Sequence, residues 1–420
     1  MKLLVLALNY APELVGAGRY TSDMARWLAK AGHEVTVVCA QPYYPQWRIA
    51  PGFRQHYSAS IEDGVRVIRC PLYVPKNPSG SRRMVHYVSF ALSVVAPTLF
   101  MALRMRPDIV FTTAPSLIAA PLARLAALIS GARSWLHVHD LEVDAAFATG
   151  LLHGSGLVAR VAKRFEKVVI GSFERVSSVS APMCQRICAI ATPHERVVEF
   201  PNGIDIDAVK PLERPSFYRD RWKIGTPHVA LYSGNIANKQ GLEIVLEAAR
   251  QLRHRTDLTF VICGNGPNRA KLEREAGDLA NLVFHDLQLE PELNELLNLA
   301  TIHLLPQLAG AADLVLPSKL GNMLASGRPI VATVAPGTGI ALEIEGCGLA
   351  TPPGDATALA DALERLIDDP ALHARMSVAA RRRAEQNWSR EQILSRQLAE
   401  FDKLLGQGAA NEAPVPAAAE

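Results

Sequence analysis

The 420-residue sequence is poor in the features that would place it in several functional classes. Its six cysteines (Cys39, Cys70, Cys184, Cys188, Cys263, Cys347) form no C-x-x-C pair, which argues against a disulfide framework or a standard zinc ligand set. Several sit in apolar strand-like runs, where a thiol acts as a small hydrophobe, and a reduced cytoplasmic compartment is expected. A net charge of +3 supplies no global basic field, so nucleic acid is not an expected partner. The apolar opening Met1–Leu8 stops at Asn9-Tyr10 with no small-residue cleavage site behind it. It reads as a buried strand rather than a signal peptide.

What is present is a repeated alternation of short β-rich runs and amphipathic segments. Leu3–Leu8 and Glu34–Cys39 flank a helical pattern through Tyr20, Met24, Trp27, Leu28 and Ala31, which makes one βαβ unit and hence a parallel sheet. Further strands are expected at 108–113, 134–138, 176–180 and 197–200. After Pro201-Asn202-Gly203 a second series begins at 228–233, 258–263, 282–285, 302–305 and 329–333. Length and alternation predict an α/β fold of two Rossmann-like domains, with a ligand held in the cleft between them. The expected divisions are 1–205, 206–388, a C-terminal helix over 389–405 packing back on the first domain, and a disordered tail over 406–420.

Between Met84 and Leu103 there is no Asp, Glu, Lys or Arg, and Arg82, Arg83, Arg104 and Arg106 bracket the run. The length suits a membrane span, but a span would put two parts of one sheet on opposite sides of a bilayer. Two readings stay open: a buried or half-buried helical pair broken at Pro97, or contact between 82–106 and the inner membrane surface, its basic flanks attracting anionic lipid.

Candidate chemistry gathers where strands would end. Gly16-Ala17-Gly18 can bring backbone N–H groups to a phosphate, but Thr21 stands where a third glycine of the dinucleotide fingerprint would be. Ser233-Gly234-Asn235-Ile236, followed by Lys239, repeats a strand-then-loop device that suits a diphosphate. Gly264 and Gly266 do the same after the next strand, and Ser318, Lys319 and Asn322 open another helix. Leu136–Asp144 crowds His137, His139, Asp140, Glu142 and Asp144 together. A loop carboxylate orienting a histidine or sugar hydroxyls suits that density. Structural polar residues and a metal site stay open although the spacing fits no standard zinc pattern, and no cofactor is expected.

Together these motifs resemble the family-four retaining glycosyltransferases of the GT-B fold, over Met1 to about Leu405. Asn9-Tyr10-Ala11-Pro12-Glu13, Pro42–Trp47, Cys70–Lys76, Ser233–Ile236 and Pro317–Leu320 look like the colanic acid subgroup, which builds exopolysaccharide. The resemblance implies a hexosyltransferase with a GDP- or UDP-sugar donor, GDP-fucose foremost, and a polyprenyl-diphosphate-linked saccharide acceptor. It implies catalytic roles for His139, Asp140 and Lys239. It implies donor binding by Gly16, Gly18, Asn235, Lys239, Gly266, Ser318, Lys319 and Asn322, with no metal.

The chain departs from the family pattern in two places. Asn235 replaces a frequent arginine, and the family's paired glutamates would fall on Leu314 and Asn322, with Asp313 as the nearest carboxylate. Two rivals stay open: a non-hydrolysing sugar-nucleotide epimerase on the same fold and, made plausible by that vacancy, a non-catalytic nucleotide-sugar-binding partner.

Overall fold

A computed structural model describes residues 1–13, 16–143, 156–237, 240–308 and 316–406. Lys239, Asp144, Asp313, Leu314 and the tail after 406 lie outside the described residues. The chain forms two compact units, one of Met1–Pro201 with the segment from Leu394 onward, the other of Asn202–Ile393.

The first unit is built on an eight-stranded sheet ordered β3-β4-β2-β1-β5-β6-β7-β8. Its strands are β1 Lys2–Ala7, β2 Glu34–Ala40, β3 Ser58–Glu62, β4 Val65–Cys70, β5 Ile109–Ala114, β6 Arg133–Val138, β7 Arg175–Ser178 and β8 Val197–Glu199. All pairings are parallel except β3 with β4. β1 lies between β2 and β5 and is covered on both faces, which is why it is an unbroken apolar run with Leu3, Leu4 and Val5 fully buried. The β3–β4 hairpin is absent from the expected strands, although buried Val65 and Val67 flank exposed Arg66 with a period of two.

On one side of this sheet the C-terminal helix Arg390–Leu404 sets Phe401 edge-on to Trp135 at 4.9 Å and to Phe111 at 6.0 Å between ring centroids. A fully buried aromatic with two T-shaped partners fixes that helix to the first unit's core.

The apolar run is two helices, Gly80–Ser93 and Val95–Met105, and the break falls at Val94 rather than at Pro97. Pro97 sits in the first turn of the second helix, where a backbone N–H has no intrahelical acceptor to lose. Phe90, Met101 and Met105 face inward while Leu92, Phe100 and Leu103 are exposed, so the pair is half-buried.

The second unit carries a parallel sheet ordered β11-β10-β9-β12-β13-β14. The strands are β9 His228–Ser233, β10 Leu258–Cys263, β11 Leu282–His285, β12 Ile302–Pro306, β13 Ile330–Thr333 and β14 Gly348–Thr351. β14 is an addition to the expected set, too short and small-residued for its pattern to register. The predicted apolar face of Leu242, Val245, Leu246, Ala249 and Leu252 is wholly buried against this sheet. Because every strand here runs the same way, the loops after β9, β10 and β12 collect at one edge, where ligands of open α/β sheets bind.

Candidate active site

In the first unit the loop after β1 is fixed by a carboxylate that sequence reasoning left unassigned. Glu13 is buried and accepts the backbone N–H groups of Tyr43 at 2.7 Å and Tyr44 at 2.8 Å, while Asn9 Nδ2 donates to its other oxygen at 2.8 Å. Burial raises its pKa even though those donors favour the anion. Gly18 lets the helix Ala17–Lys30 press on this loop, since a Cβ there would lie 3.1 Å from Asn9 Cβ and 3.3 Å from the Tyr10 nitrogen. Gly16 has φ +66° and precedes the helix with no side chain capping it. Gly16 and Ala17 line a cavity of about 240 Å³ together with Asn9, Tyr44, Trp47, Arg83 and Tyr87 among others.

Arg83 brings a cation to that cavity. Its guanidinium lies 5.3 Å from the Trp47 ring centroid, and its buried Nε meets no hydrogen-bond partner among the described residues. Behind the aromatic wall, fully buried His86 links the Tyr43 hydroxyl at 2.9 Å to the Tyr73 carbonyl at 2.6 Å.

The two histidines at the end of β6 have different surroundings. His137 is buried, its Nδ1 2.8 Å from Ser177 Oγ, which also accepts the Trp135 indole N–H. It belongs to the core, and burial drives its pKa well below the usual value. His139 stands one step past the strand, its N–H donating to Ala114 O at 3.2 Å, its ring 4.4 Å from His137 and 6.1 Å from Tyr20. Burial pushes its pKa down to about 4, so the imidazole is neutral at pH 7 and able to accept a proton.

Asp140 is exposed, and its charge helps raise the pKa of both Tyr87 and Glu142, for which burial is the larger cause. Glu142 itself accepts the N–H groups of Ser116 and Leu117 at 2.5 and 2.6 Å. Ser116 has φ +97°, the local geometry that turns two successive N–H groups onto one carboxylate. His139 does not line the cavity, but its partner Ala114 directly precedes Pro115, which does.

In the second unit the loops after β9 and β10 meet, and the helix Ser318–Ala325 begins beside them. Gly264 lies under the Gly234 carbonyl so closely that a Cβ would sit 1.8 Å from that oxygen, and a Cβ on Gly266 would sit 2.2 Å from the Ile236 oxygen. The contact is sewn by Gly234 N–H to Cys263 O at 3.0 Å and Ile236 N–H to Asn265 O at 2.9 Å. Across the same loop Lys319 Nζ lies 4.0 Å from the Tyr232 ring centroid, and the Tyr232 hydroxyl donates to Asn235 O at 2.6 Å. Gly234 has φ +142°, a backbone conformation that favours glycine, and a Cβ there would meet Lys319 Nζ at 3.6 Å in ordinary contact.

Gly266, Asn235 and Lys319 are thus gathered at one sheet edge. Ser318 is exposed and opens the helix Ser318–Ala325, which Lys319 and half-buried Asn322 share. Among the described residues, no group of three His, Cys, Asp or Glu side chains is placed to hold a metal.

Residues 15–203 match the family described as Glycosyl transferase 4-like domain, and residues 227–369 match Glycosyl transferases group 1. The putative colanic acid biosynthesis glycosyl transferase WcaI of Escherichia coli (strain K12) is 39% identical over 404 residues, 94% of this chain and 98% of that one. Sucrose-phosphate synthase from Thermosynechococcus elongatus superposes with a TM-score of 0.71 at 17% identity, covering 97% of this chain and all of that one. Anabaena HepE in complex with UDP gives 0.67 at 16% identity, covering 96% of this chain and all of the other. At such identities the two structures speak for the fold alone. Two family matches laid end to end and one relative similar along its whole length make the chain a member of the GT-B glycosyltransferases, an enzyme that transfers sugar.

Proposed function

We propose that the enzyme takes a sugar from a GDP- or UDP-sugar, GDP-fucose being the first to test, and transfers it to a polyprenyl-diphosphate-linked saccharide with retention of configuration. The product is bacterial exopolysaccharide of the colanic acid kind, and the reaction runs on the cytoplasmic face of the inner membrane, with 82–106 touching the lipid. The observation that carries this reading is the near full-length similarity to the colanic acid enzyme. Lys319 over Tyr232 beside the Gly234 loop supports the donor side, because a cation and backbone groups at one sheet edge suit a diphosphate. Gly16 and Gly18, Asn235, Gly266, Ser318, Asn322 and Lys239 complete the donor contacts in this reading.

A thermal-shift screen of nucleotide sugars tests the donor. At a hundred times its dissociation constant a ligand adds about 2.7 kcal/mol of stability, which raises the melting temperature of a domain this size by roughly 5–10 °C. A set of GDP- and UDP-sugars that leaves the transition unmoved removes the reading. Donor incubated alone separates transfer from epimerisation, since an epimerase converts it without an acceptor.

Neutral His139 is our base at the acceptor hydroxyl, with Asp140 beside it. A general base contributes on the order of a hundredfold or more, so His139→Asn is expected to lower kcat about a hundredfold with the donor-induced thermal shift retained. In the unaltered enzyme the rate falls as pH drops toward about 4, where His139 takes up its proton. A kcat untouched by His139→Asn but lost in Asp140→Asn hands the role to the carboxylate.

A further inference from the structure

The cavity of the first unit enters the transfer reading only at Gly16, and Tyr44, Trp47, Arg83 and Tyr87 along its wall have no part in that reading. The wall is of two kinds. Aromatic rings supply its surface: Tyr44 is exposed, and Trp47 and Tyr87 are half-buried. Trp47 is held by tilted contacts with Tyr43 at 5.5 Å and His86 at 5.2 Å between ring centroids. Its backbone has φ +52°, a conformation that a bulky residue takes only where its surroundings impose it.

The other kind is positive. Arg83 lies over Trp47, and among the described residues it makes no ion pair and its buried Nε meets no acceptor. Its own helix, Gly80–Ser93, contains no acid. A buried donor without an acceptor is costly, so an arginine held in this state is completed by a ligand. The helix Ala17–Lys30 begins at the same cavity with no acid in its first turn and no side chain on its cap, and its positive end adds to the potential of Arg83.

Size and neighbours narrow the ligand. The volume of about 240 Å³ is below the roughly 300 Å³ at which pockets for drug-sized ligands begin, so one sugar ring fits and a nucleotide sugar does not. Tyr87 joins the cavity to the end of β6. Burial and the charge of Glu142 push its hydroxyl up to about 12, while Arg83 pulls it down and Asp140 adds a smaller push. Both Arg83 and Asp140 are therefore within electrostatic reach of one phenol.

We infer that this cavity is a subsite for an acidic saccharide: a sugar ring lies on Trp47 and Tyr44, and Arg83 pairs with a carboxylate or phosphate borne by that sugar. The planar guanidinium suits either oxyanion, and a neutral sugar would leave it unpaired, which makes the charge a condition of binding. Two sources carry such a charge, an acid group on the ring itself and the phosphate that links the ring to its carrier. Naming the ligand as the acceptor rests on the transfer reading; the ring and the charge follow from the cavity.

Titration of the full chain by saturation-transfer NMR tests it, with glucose and galactose each offered as the 1-phosphate, the uronate and the methyl glycoside. The wild type is expected to bind a charged form about ten- to a hundredfold tighter than the neutral one, the gain from one hydrogen-bonded charge. Whichever charged form leads names the source: the 1-phosphate the carrier linkage, the uronate the sugar. Arg83→Met is expected to bind every form at the neutral level, and Arg83→Lys to keep part of the preference. Trp47→Ala is expected to weaken all forms by roughly tenfold with the preference unchanged. Lys319→Met is expected to keep the preference, which separates this subsite from the donor's phosphate contacts.

Equal binding of charged and neutral forms by the wild type, binding of none of them, or a preference that survives in Arg83→Met overturns the inference. So does loss of the nucleotide-sugar thermal shift in a folded Arg83→Met protein, because the anion on Arg83 would then be the donor's. Absence of that shift from the wild type counts against the transfer reading, and absence of the charge preference counts against this one.

Discussion

Gly264→Ala is expected to lower the melting temperature of the second unit by about 6–12 °C and to erase the thermal shift given by nucleotide sugars. The first figure follows from sterics. A methyl at Gly264 would fall 1.8 Å from the Gly234 carbonyl oxygen and 3.0 Å from its carbon, and both atoms are backbone. A flexible side chain could swing aside, but here the loop after β9 has to move as a body. That movement breaks the Gly234 N–H bond to Cys263 O and the Ile236 N–H bond to Asn265 O.

Overpacking costs about 1–3 kcal/mol and occasionally more, and a backbone clash this close falls at the top of that range, about 3 kcal/mol. Each kcal/mol is worth roughly 2–4 °C in a unit of this size. The binding effect follows because the displaced loop is the one that faces Lys319. Gly225→Ala is the control, with nothing within 4 Å of the added methyl and no positive φ to strain. Differential scanning calorimetry with and without donor reads both quantities. A Gly264→Ala protein that melts with the wild type would mean that the two loops are not held in contact.

The same pair of loops shows what could be read from sequence and what could not. A strand ending in Ser233-Gly234 and another ending in Cys263-Gly264 announce a loop edge, because glycine follows an apolar run where the chain must turn. Sequence cannot tell that the two glycine turns press on each other, since that depends on the parallel register Cys263↔Ser233 between strands thirty positions apart. The amphipathic helix after β9 was legible for a different reason: its partners are its own neighbours at helical spacing.

In the first unit the limit is the same. Glu13 stood in a quoted motif, but its role is set by two N–H groups at Tyr43 and Tyr44. Arg83 belonged to a basic flank and gained meaning only when folding laid it over Trp47. His137 and His139 look interchangeable in sequence, two apart on one strand face. Folding separates them, because β7 reaches far enough to give His137 a partner in Ser177 while His139 lies past the strand's end. Local periodicity carries the elements, and contacts between distant strand ends carry the chemistry.

Lys319→Met is expected to lower kcat by about a hundred- to a thousandfold, more than it weakens donor binding, while the melting temperature moves by only a few degrees. The catalytic figure is what removal of one preorganised charge-stabilising group costs in a sheltered site. Negative charge grows on the diphosphate as the sugar leaves, and the ammonium is worth more to that state than to the bound donor. Lys319 is suited to the task because it lies in the first turn of Ser318–Ala325, where the helix end adds its own positive potential. Its stem reaches past Gly234 and sets the charge 4.0 Å above the Tyr232 ring centroid.

Methionine keeps the length and the apolar stem, and the lost cation–π contact costs about 1 kcal/mol of stability. Lys319→Arg is expected to rescue poorly, since a planar, delocalised fork does not set a compact point charge at the same place. Single-turnover transfer measured at saturating donor separates the two effects. A kcat for Lys319→Met within threefold of the wild type would remove Lys319 from the chemistry and leave the leaving-group charge to Lys239.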